Sequence, residues 1–268
     1  VEALLRRGAG PIVAIVRDPS KVADLAEQGV QVRQASYDDA ESYDRALVGV
    51  DRLLLVSGTD FGSRVAQHTT VIRAAEQAGI QLIAYTSIPY ATDNPMILAQ
   101  EYRGTEAILA ESAVPHTLLR NGWYWENYLD RAASAVEAGV LYGSGGDGLI
   151  SAAARADYAE AAAVVLSTDG HAGQVYELGG DEHVTYSGLA QSFSQISGRP
   201  VRYRDVPEAD YARTLRQAGL PTPMAQAMAD VDTGVRKGLL HVDTGDLAKL
   251  LGRPAASPAD VLRTALAR

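Results

Sequence analysis

The sequence predicts an α/β protein with a doubly wound parallel sheet and a smaller C-terminal lobe. In the first half of the chain, short apolar runs alternate with helical stretches, a cadence typical of βαβ units. The runs IVAIV (12–16) and LLLV (53–56) are continuously apolar, as expected of parallel strands buried on both faces. Right-handed crossovers make the doubly wound arrangement the leading topology.

Five strands are predicted in the first half, and each is short and rich in β-branched or apolar residues. They cover 12–16, 30–34, 53–56, 82–86 and 116–120. The helices between them cover 20–29, 38–47, 65–78 and 101–112. Ser20 is expected to cap the first helix, and glycines follow several of the helix ends, as is usual for C-caps.

The rhythm changes after Tyr124, which predicts a domain boundary near residue 125. Residues 1–125 would form the first domain, and 126–268 a lobe with segments that return to the sheet. The predicted elements are helices at 126–137, 157–166 and 186–197, strands at 149–152, 175–178 and 201–204, and several helices to the end. Asp157 and Glu160 form a capping-box pattern.

Composition excludes several classes of function. The chain has 268 residues, 47% of them hydrophobic, which allows a sizeable core. A net charge of −9 argues against a nucleic-acid partner, and the absence of cysteine removes disulfides and thiol chemistry. No apolar run reaches the roughly 18 residues of a membrane span, and no signal peptide is recognised. A cytoplasmic location is expected.

The beginning of the chain is unusual for this fold. Val1 to Arg7 resembles the end of an amphipathic helix, with Gly8 and Gly10 after it. We expect a strand and a glycine loop to precede this helix.

Two positively charged residues, Arg17 and Lys21, follow the end of the first predicted strand. In Rossmann folds an acidic residue at the tip of the second strand selects NAD, whereas an arginine there pairs with the 2′-phosphate of NADP. The alternative is that Arg17 merely ends a surface strand. The surrounding βαβ cadence favours the phosphate site.

Small polar residues follow two further strands. Ser57, Gly58 and Thr59 come after LLLV, where a cofactor could pass the sheet edge, although an ordinary turn is the better explanation when this segment is taken alone. Ser87 follows the strand at 82–86, where short-chain dehydrogenases place a serine that holds a substrate carbonyl. These enzymes also use a Tyr-x-x-x-Lys pair on the next helix. Tyr102 stands at the tyrosine position of this spacing, but Glu106 occupies the lysine position. Tyr102 is therefore expected to be a packing or cleft residue.

Two other features are interpreted without a ligand. The glycine run at 143–148 is followed by a predicted strand and not by a helix, so it is not a dinucleotide loop. The five histidines show no metal-ligand spacing, and no metal site is predicted.

Seven strings together resemble the NmrA-like family of atypical short-chain dehydrogenases over nearly the whole chain. The likeness is greatest to its branch of bacterial NADPH:quinone oxidoreductases. The strings are AIVRDPSK (14–21), VRQASYDD (32–39), LLLVSG (53–58), IAYTS (83–87), TLLRNGWYWENY (117–128), RADYAEAAA (155–163) and VYELGGD (175–181).

The resemblance implies NADPH as the cofactor and assigns roles to individual residues. Arg17 would meet the 2′-phosphate, and Ser57, Gly58 and Thr59 would line the adenine–ribose path. A segment of six residues would close over the nicotinamide end and shape the quinone pocket: Asn121, Gly122, Trp123, Tyr124, Trp125 and Glu126. Its aromatic rings could stack on a planar ligand or simply pack the two lobes together. Tyr124 joins Ser87 and Tyr102 as a candidate catalytic residue.

The first functional hypothesis is a flavin-free reductase that passes hydride from NADPH to a small quinone. The hydroquinone product is stabilised, so its protons can come from water and the missing lysine is not needed. The alternative is an NADP(H)-binding redox sensor without turnover. An isomerase or epimerase is a weaker third option, because the Tyr–Lys pair is absent. A homodimer is possible.

Overall fold

The structure, a computed structural model, describes residues 1–266 as an α/β fold. Its strands are β1 (Val13–Val16), β2 (Gln31–Gln34), β3 (Arg52–Leu55), β4 (Leu82–Ser87), β5 (His116–Asn121), β6 (Val140–Gly143), β7 (Val175–Leu178) and β8 (Arg202–Asp205). Its α-helices are α1 (Glu2–Arg6), α2 (Ala23–Glu27), α3 (Ala40–Ala46), α4 (Arg64–Ala78), α5 (Ala99–Glu111), α6 (Glu126–Ala138), α7 (Arg155–Ser167), α8 (Tyr186–Ser197), α9 (Glu208–Gln217), α10 (Thr222–Arg236), α11 (Asp246–Leu251) and α12 (Pro258–Leu266).

The strands pair in three groups. β1 pairs with β2, β6 pairs with β8, and four strands form a sheet in the order β3-β4-β5-β7. The β1/β2, β3/β4, β4/β5 and β6/β8 pairs are all parallel. Parallel strands joined through helices confirm the predicted α/β class.

The chain divides into two compact units. The first comprises Val1–Ser87, Glu101–Arg120 and Ala159–Tyr176, and the second comprises Ile88–Gln100, Asn121–Tyr158 and the chain from Glu177 onward. The core of the first unit is built by α3, α4 and strands β3 and β4, with Leu47, Ile72 and Ile83 among its buried side chains. Trp125 and Phe193 are among the largest buried side chains of the second unit.

Most predicted elements are confirmed within one or two residues, and the exceptions have local causes. Ser20 does not cap a helix: Asp18 does, and its carboxylate accepts hydrogen bonds from the Ser20 amide and hydroxyl. The predicted strand at 149–152 is reduced to a single bridge between Ile150 and Val184, whereas β6 was not predicted.

The predicted capping box at Asp157 is also wrong. Helix α7 begins earlier, at Arg155, so Asp157 lies within its first turn. The Asp157 carboxylate instead accepts hydrogen bonds from the Arg253 guanidinium at 2.8 Å and from the Ala256 amide at 2.8 Å. It therefore ties a C-terminal segment of the second unit to the start of α7.

Within residues 1–266, no helix combines the length and the apolar character that crossing a membrane requires.

Candidate functional site

A cavity of about 280 Å³ lies in the first unit, where β1, β2 and β3 end. It is lined by Ile15, Arg17, Ala35, Ser36, Tyr37, Asp38, Tyr43, Val56, Ser57, Gly58, Thr59, Asp60 and Gln67. Open α/β sheets bind ligands outside the carboxyl ends of their strands, because polar loop groups and helix N-termini converge there. The cavity has the position expected of such a ligand site.

Arg17 is the cation of this cavity. Its side chain is exposed, and among the described residues its guanidinium has no ion-pair partner. Lys21 is exposed as well but does not line the cavity. Instead it lies near Asp18, whose pKa is lowered mainly by the hydrogen bonds from Ser20 and to a smaller extent by this ammonium group. The structure thus brings only one of the two predicted phosphate ligands to the cavity.

The loop after β3 is fixed to its neighbours through Ser57 and Gly58. The Ser57 amide donates to Thr86 Oγ1 at 2.9 Å, and the Ser57 hydroxyl donates to the Thr86 carbonyl. The Gly58 amide donates to His68 Nε2 at 3.1 Å, while the Gly58 carbonyl accepts from Arg64 Nε at 2.7 Å. Both polar groups of the Gly58 peptide are therefore bound, and Thr59 remains exposed at the cavity.

His68 is held in one tautomer by this arrangement. Because an amide N–H can only donate, Nε2 accepts from Gly58, and the proton lies on Nδ1, which is 2.9 Å from Thr105 Oγ1. The side chain is fully buried, and burial, aided by the charge of Arg64, lowers the pKa of His68 to about 4. The neutral His68 imidazole thus helps to hold the loop after β3 in place at the cavity.

Ser87, the first catalytic candidate, is committed to a buried ion pair. Its hydroxyl donates to Glu106 Oε1 at 2.5 Å. The Glu106 carboxylate also receives two bonds from the Arg120 guanidinium, at 3.0 Å from Nε and 2.6 Å from Nη2. The Glu106 and Arg120 side chains are 10% and 12% exposed. Glu106 occupies the lysine position of the Tyr-x-x-x-Lys spacing. Its negative charge is balanced by the Arg120 guanidinium.

Tyr102, the second catalytic candidate, packs on the core of the first unit. The Arg64 guanidinium lies over its ring, 4.6 Å from the centroid. This placement agrees with the packing role expected from the sequence.

The segment 121–126 belongs to the second unit, and its first residues are tightly held. The Gly122 amide donates to the Leu178 carbonyl at 2.7 Å. A Cβ at position 122 would lie 2.9 Å from that same oxygen and 2.9 Å from the Tyr158 hydroxyl, so only glycine fits. Asn121 is buried, with Nδ2 at 3.5 Å from the Tyr124 hydroxyl.

The three consecutive aromatic residues have different environments. Trp125 is 1% exposed and packs on Tyr128, with ring centroids 6.0 Å apart, so it is a core residue of the second unit. Trp123 and Tyr124 are half-buried. The Tyr124 ring meets the Tyr158 ring edge-on at 5.3 Å.

Glu126 caps a neighbouring helix. Both oxygens of its carboxylate accept from the Arg155 amide, at 2.9 and 3.1 Å, where α7 begins. A carboxylate at a helix N-terminus binds an otherwise unpaired amide and interacts favourably with the helix dipole. This contact alone accounts for an acidic side chain at position 126.

A family model described as NAD(P)H-binding matches residues 1–169. The chain is 48% identical to Quinone oxidoreductase 2 of Escherichia coli (strain K12), over 97% of this chain and 91% of the relative. The chain belongs to the NAD(P)H-binding family.

Solved structures agree with this membership of the NAD(P)H-binding family. An NADPH-dependent quinone oxidoreductase from Escherichia coli, complexed with NADPH, superposes with a TM-score of 0.95 at 47% identity, covering 99% of this chain and 94% of that chain. A triphenylmethane reductase from Citrobacter sp., complexed with NADP(H), gives 0.92 at 32% identity, with coverages of 98% and 94%. The Rossmann fold class and the NmrA-like resemblance are thereby confirmed.

The cavity of this NAD(P)H-binding protein includes residues after β2 to which the sequence gave no role. Tyr37 donates its hydroxyl to the Val56 carbonyl at 3.0 Å and stacks on Tyr43 at 5.8 Å. Asp38 accepts from Gln67 Nε2 at 3.1 Å. The available signal was the second half of the string VRQASYDD, because it directly follows β2, which ends at the cavity as β1 and β3 do.

The glycine run at 143–148 serves packing in the second unit. A Cβ at Gly145 would contact the Tyr186 ring at about 2.5 Å, and one at Gly148 would collide with the Val235 carbonyl. These contacts explain the glycines without a phosphate.

The structure also brings together side chains that no spacing linked. His183, His241 and Asp243 place one ligand atom each within 4.8 Å of one another. The histidine spacing predicted no metal site, because His183 and His241 are far apart along the chain.

Proposed function

We propose that the protein is an NADPH-dependent oxidoreductase that transfers hydride to a quinone. The observation that carries this proposal is the 48% identity to Quinone oxidoreductase 2 across 97% of the chain. The NADPH complex of a similar enzyme and the cavity at the strand ends support it.

The cavity residues fit the adenosine end of NADPH. The exposed Arg17 offers a planar guanidinium to the 2′-phosphate, and no carboxylate of the described residues forms an ion pair with it. Ser57, Gly58 and Thr59 provide the path along the ribose, while Asp38 and Asp60 offer acceptors for the exocyclic amine of adenine. Lys21 contributes only long-range attraction in this assignment.

NADPH, when bound, supplies the hydride from its nicotinamide ring. The overall reaction converts quinone, NADPH and a proton into hydroquinone and NADP⁺. Asn121, Gly122 and Glu126 hold the backbone of the segment 121–126, and Trp123 and Tyr124 present the half-buried aromatic faces of the substrate pocket. In this assignment Trp125 supports those faces from the core without touching the ligand.

In the proposed reaction, the proton donor is none of the three side chains Ser87, Glu106 and Arg120. The Ser87 hydroxyl is used by Glu106, and Glu106 is neutralised by Arg120. Water therefore protonates the product oxygen, and neither Tyr102 nor Tyr124 is required for proton transfer. A quinone tolerates this because the reduced ring becomes aromatic.

The proposal is tested by following NADPH oxidation by the full-length protein with a small benzoquinone, after subtraction of the rate without protein. We expect quinone-dependent turnover with one hydroquinone formed per NADPH, by protein from which no flavin is released on denaturation. Tight binding of NADP⁺ and NADPH without turnover would overturn the proposal in favour of the redox sensor.

The proposal also includes a small quinone as the substrate, a homodimer as the assembly and a location in the cytoplasm. They rest on the sequence and on the named activity of the relatives, and they stay predictions.

A further inference from the structure

We propose that His183, His241 and Asp243 form a binding site for a divalent transition-metal ion of the Zn²⁺ type. The three side chains belong to the second unit, and their ligand atoms lie within 4.8 Å of one another. Nothing in the proposed reductase chemistry uses them.

The distances are close to those of a formed site. His183 Nε2 is 3.8 Å from Asp243 Oδ1, and the two imidazole rings meet edge to face with centroids 4.7 Å apart. Ligands bound to one tetrahedral Zn²⁺ at about 2.0–2.1 Å lie roughly 3.3 Å from one another. Small side-chain rotations therefore bring the three donors to one ion.

A buried hydroxyl links the His183 ring to the backbone between the other two ligands. Ser151 Oγ is 2.8 Å from His183 Nδ1 and accepts from the Val242 amide at 2.9 Å. Val242 is the residue between the other two ligands, so the hydroxyl connects both arms of the cluster. A hydrogen bond at Nδ1 leaves Nε2 to face an ion, which is the usual arrangement of a metal-binding histidine.

Ser151 is itself fixed, because its backbone amide, its backbone carbonyl and its side-chain hydroxyl all form hydrogen bonds. Its amide donates to the Leu240 carbonyl at 3.0 Å, and its carbonyl accepts from the Gly180 amide at 3.0 Å. The backbone of His241 is fixed as well, because the Tyr90 hydroxyl donates to its carbonyl at 2.8 Å. A cluster that is held before binding loses little conformational freedom when an ion arrives.

The donor set selects the class of ion. Two imidazole nitrogens and one carboxylate oxygen suit Zn²⁺ and similar transition metals, whereas Mg²⁺ and Ca²⁺ require oxygen ligands. The Asp243 side chain is 79% exposed, so an ion can enter from solvent and keep water in its remaining coordination position.

The test is calorimetric titration of chelator-treated protein, free of any histidine tag, with Zn²⁺ alone. We expect one Zn²⁺ per chain and a rise in unfolding temperature, with no response to Mg²⁺ at the same concentration. His183→Gln and Asp243→Asn should each weaken Zn²⁺ binding at least about tenfold, and Ser151→Ala should weaken it about tenfold through ring orientation. His116→Gln is the matched control, because it removes a histidine outside the cluster, and it should bind as the unmodified protein does.

Asp243→Asn also guards against misfolding, because its side chain is exposed and the change conserves shape. Zn²⁺ binding that is absent from the unmodified protein, or unchanged in both His183→Gln and Asp243→Asn, would overturn the proposal. So would equal binding of Mg²⁺. The measurement involves no turnover, so its failure would leave the proposed reductase activity intact.

Discussion

Gly122 illustrates how one residue can hold the backbone of a proposed ligand segment. The absence of a side chain lets its amide reach the Leu178 carbonyl, while the space where a Cβ would lie is bordered by that oxygen and the Tyr158 hydroxyl. The constraint is steric, since the backbone angle at Gly122 is not in the left-handed region.

Gly122→Ala is predicted to destabilise the protein by about 1–3 kcal/mol, because the added methyl group must displace backbone atoms. Urea unfolding measures this loss. Gly10→Ala is the control, since a Cβ at Gly10 would meet nothing within 4 Å. Equal unfolding midpoints for the two variants would contradict the packing described here.

His68 gives the first unit a pH-dependent stability. Its pKa is lowered by burial from 6.5 to about 4, so between these values the unfolded chain binds a proton that the folded protein does not. The stability due to the neutral ring is therefore fully present above pH 6.5 and is lost as the pH falls towards 4.

We predict that between pH 7 and pH 4.5 the unfolding free energy falls by about 2–3 kcal/mol more in the unmodified protein than in His68→Gln. Glutamine keeps an acceptor for the Gly58 amide without the titration. Urea unfolding of both proteins at the two pH values provides the comparison. Parallel losses in the two proteins would show that His68 does not contribute.

Among the structural elements, the strands could be located from the sequence more reliably than the site. The runs at 12–16 and 53–56 are apolar and bounded by turn residues, and their predicted limits agree with β1 and β3 to within one residue. β6 was missed because its four residues lie between a helix end and a glycine run, which leaves no alternation to detect.

The candidate site could be predicted only in part. The sequence pattern identifies residues that follow an apolar strand, but not contacts that form only in the folded protein. Arg17, Ser57, Gly58 and Thr59 could be identified because each follows an apolar strand, and all four line the cavity. The burial of Trp125 could not be inferred next to the half-buried Trp123 and Tyr124, because three aromatic residues in a row have no periodicity. The meeting of His183 with His241 depends on tertiary contacts alone.

The start of α7 depends on a side chain from outside that helix. The Glu126 carboxylate accepts from the Arg155 amide, and this contact replaces the capping box that the sequence indicated at Asp157. Removing this acceptor leaves an N-terminal amide of the helix unpaired.

Glu126→Ala is therefore predicted to lower the unfolding free energy by about 1 kcal/mol, and Glu126→Gln by less, because an amide oxygen still accepts. Thermal and urea unfolding of the two variants measure the difference. If Glu126→Ala unfolds like the unmodified protein, Glu126 has no capping role, and its acidity would need a ligand-based explanation.

For the whole molecule, the cavity proposed to bind the cofactor lies in the first unit, and the proposed activity rests on the similarity of the chain to Quinone oxidoreductase 2. We propose that the preference for NADPH over NADH depends on the guanidinium of Arg17. NADH has no 2′-phosphate, so Arg17 can discriminate between the two dinucleotides only through that group. A charge-assisted hydrogen bond contributes about 1.5–3 kcal/mol, equivalent to roughly 10- to 100-fold in affinity.

The most direct test is the ratio of kcat/KM for NADPH over NADH in quinone reduction, measured for the full-length protein, Arg17→Ala and Lys21→Ala. We predict a ratio of about 10–100 for the unmodified protein, a collapse towards unity in Arg17→Ala through loss of NADPH activity alone, and a much smaller change in Lys21→Ala. Equal use of NADH and NADPH by the unmodified protein, or an equal loss of both activities in Arg17→Ala, would contradict the account.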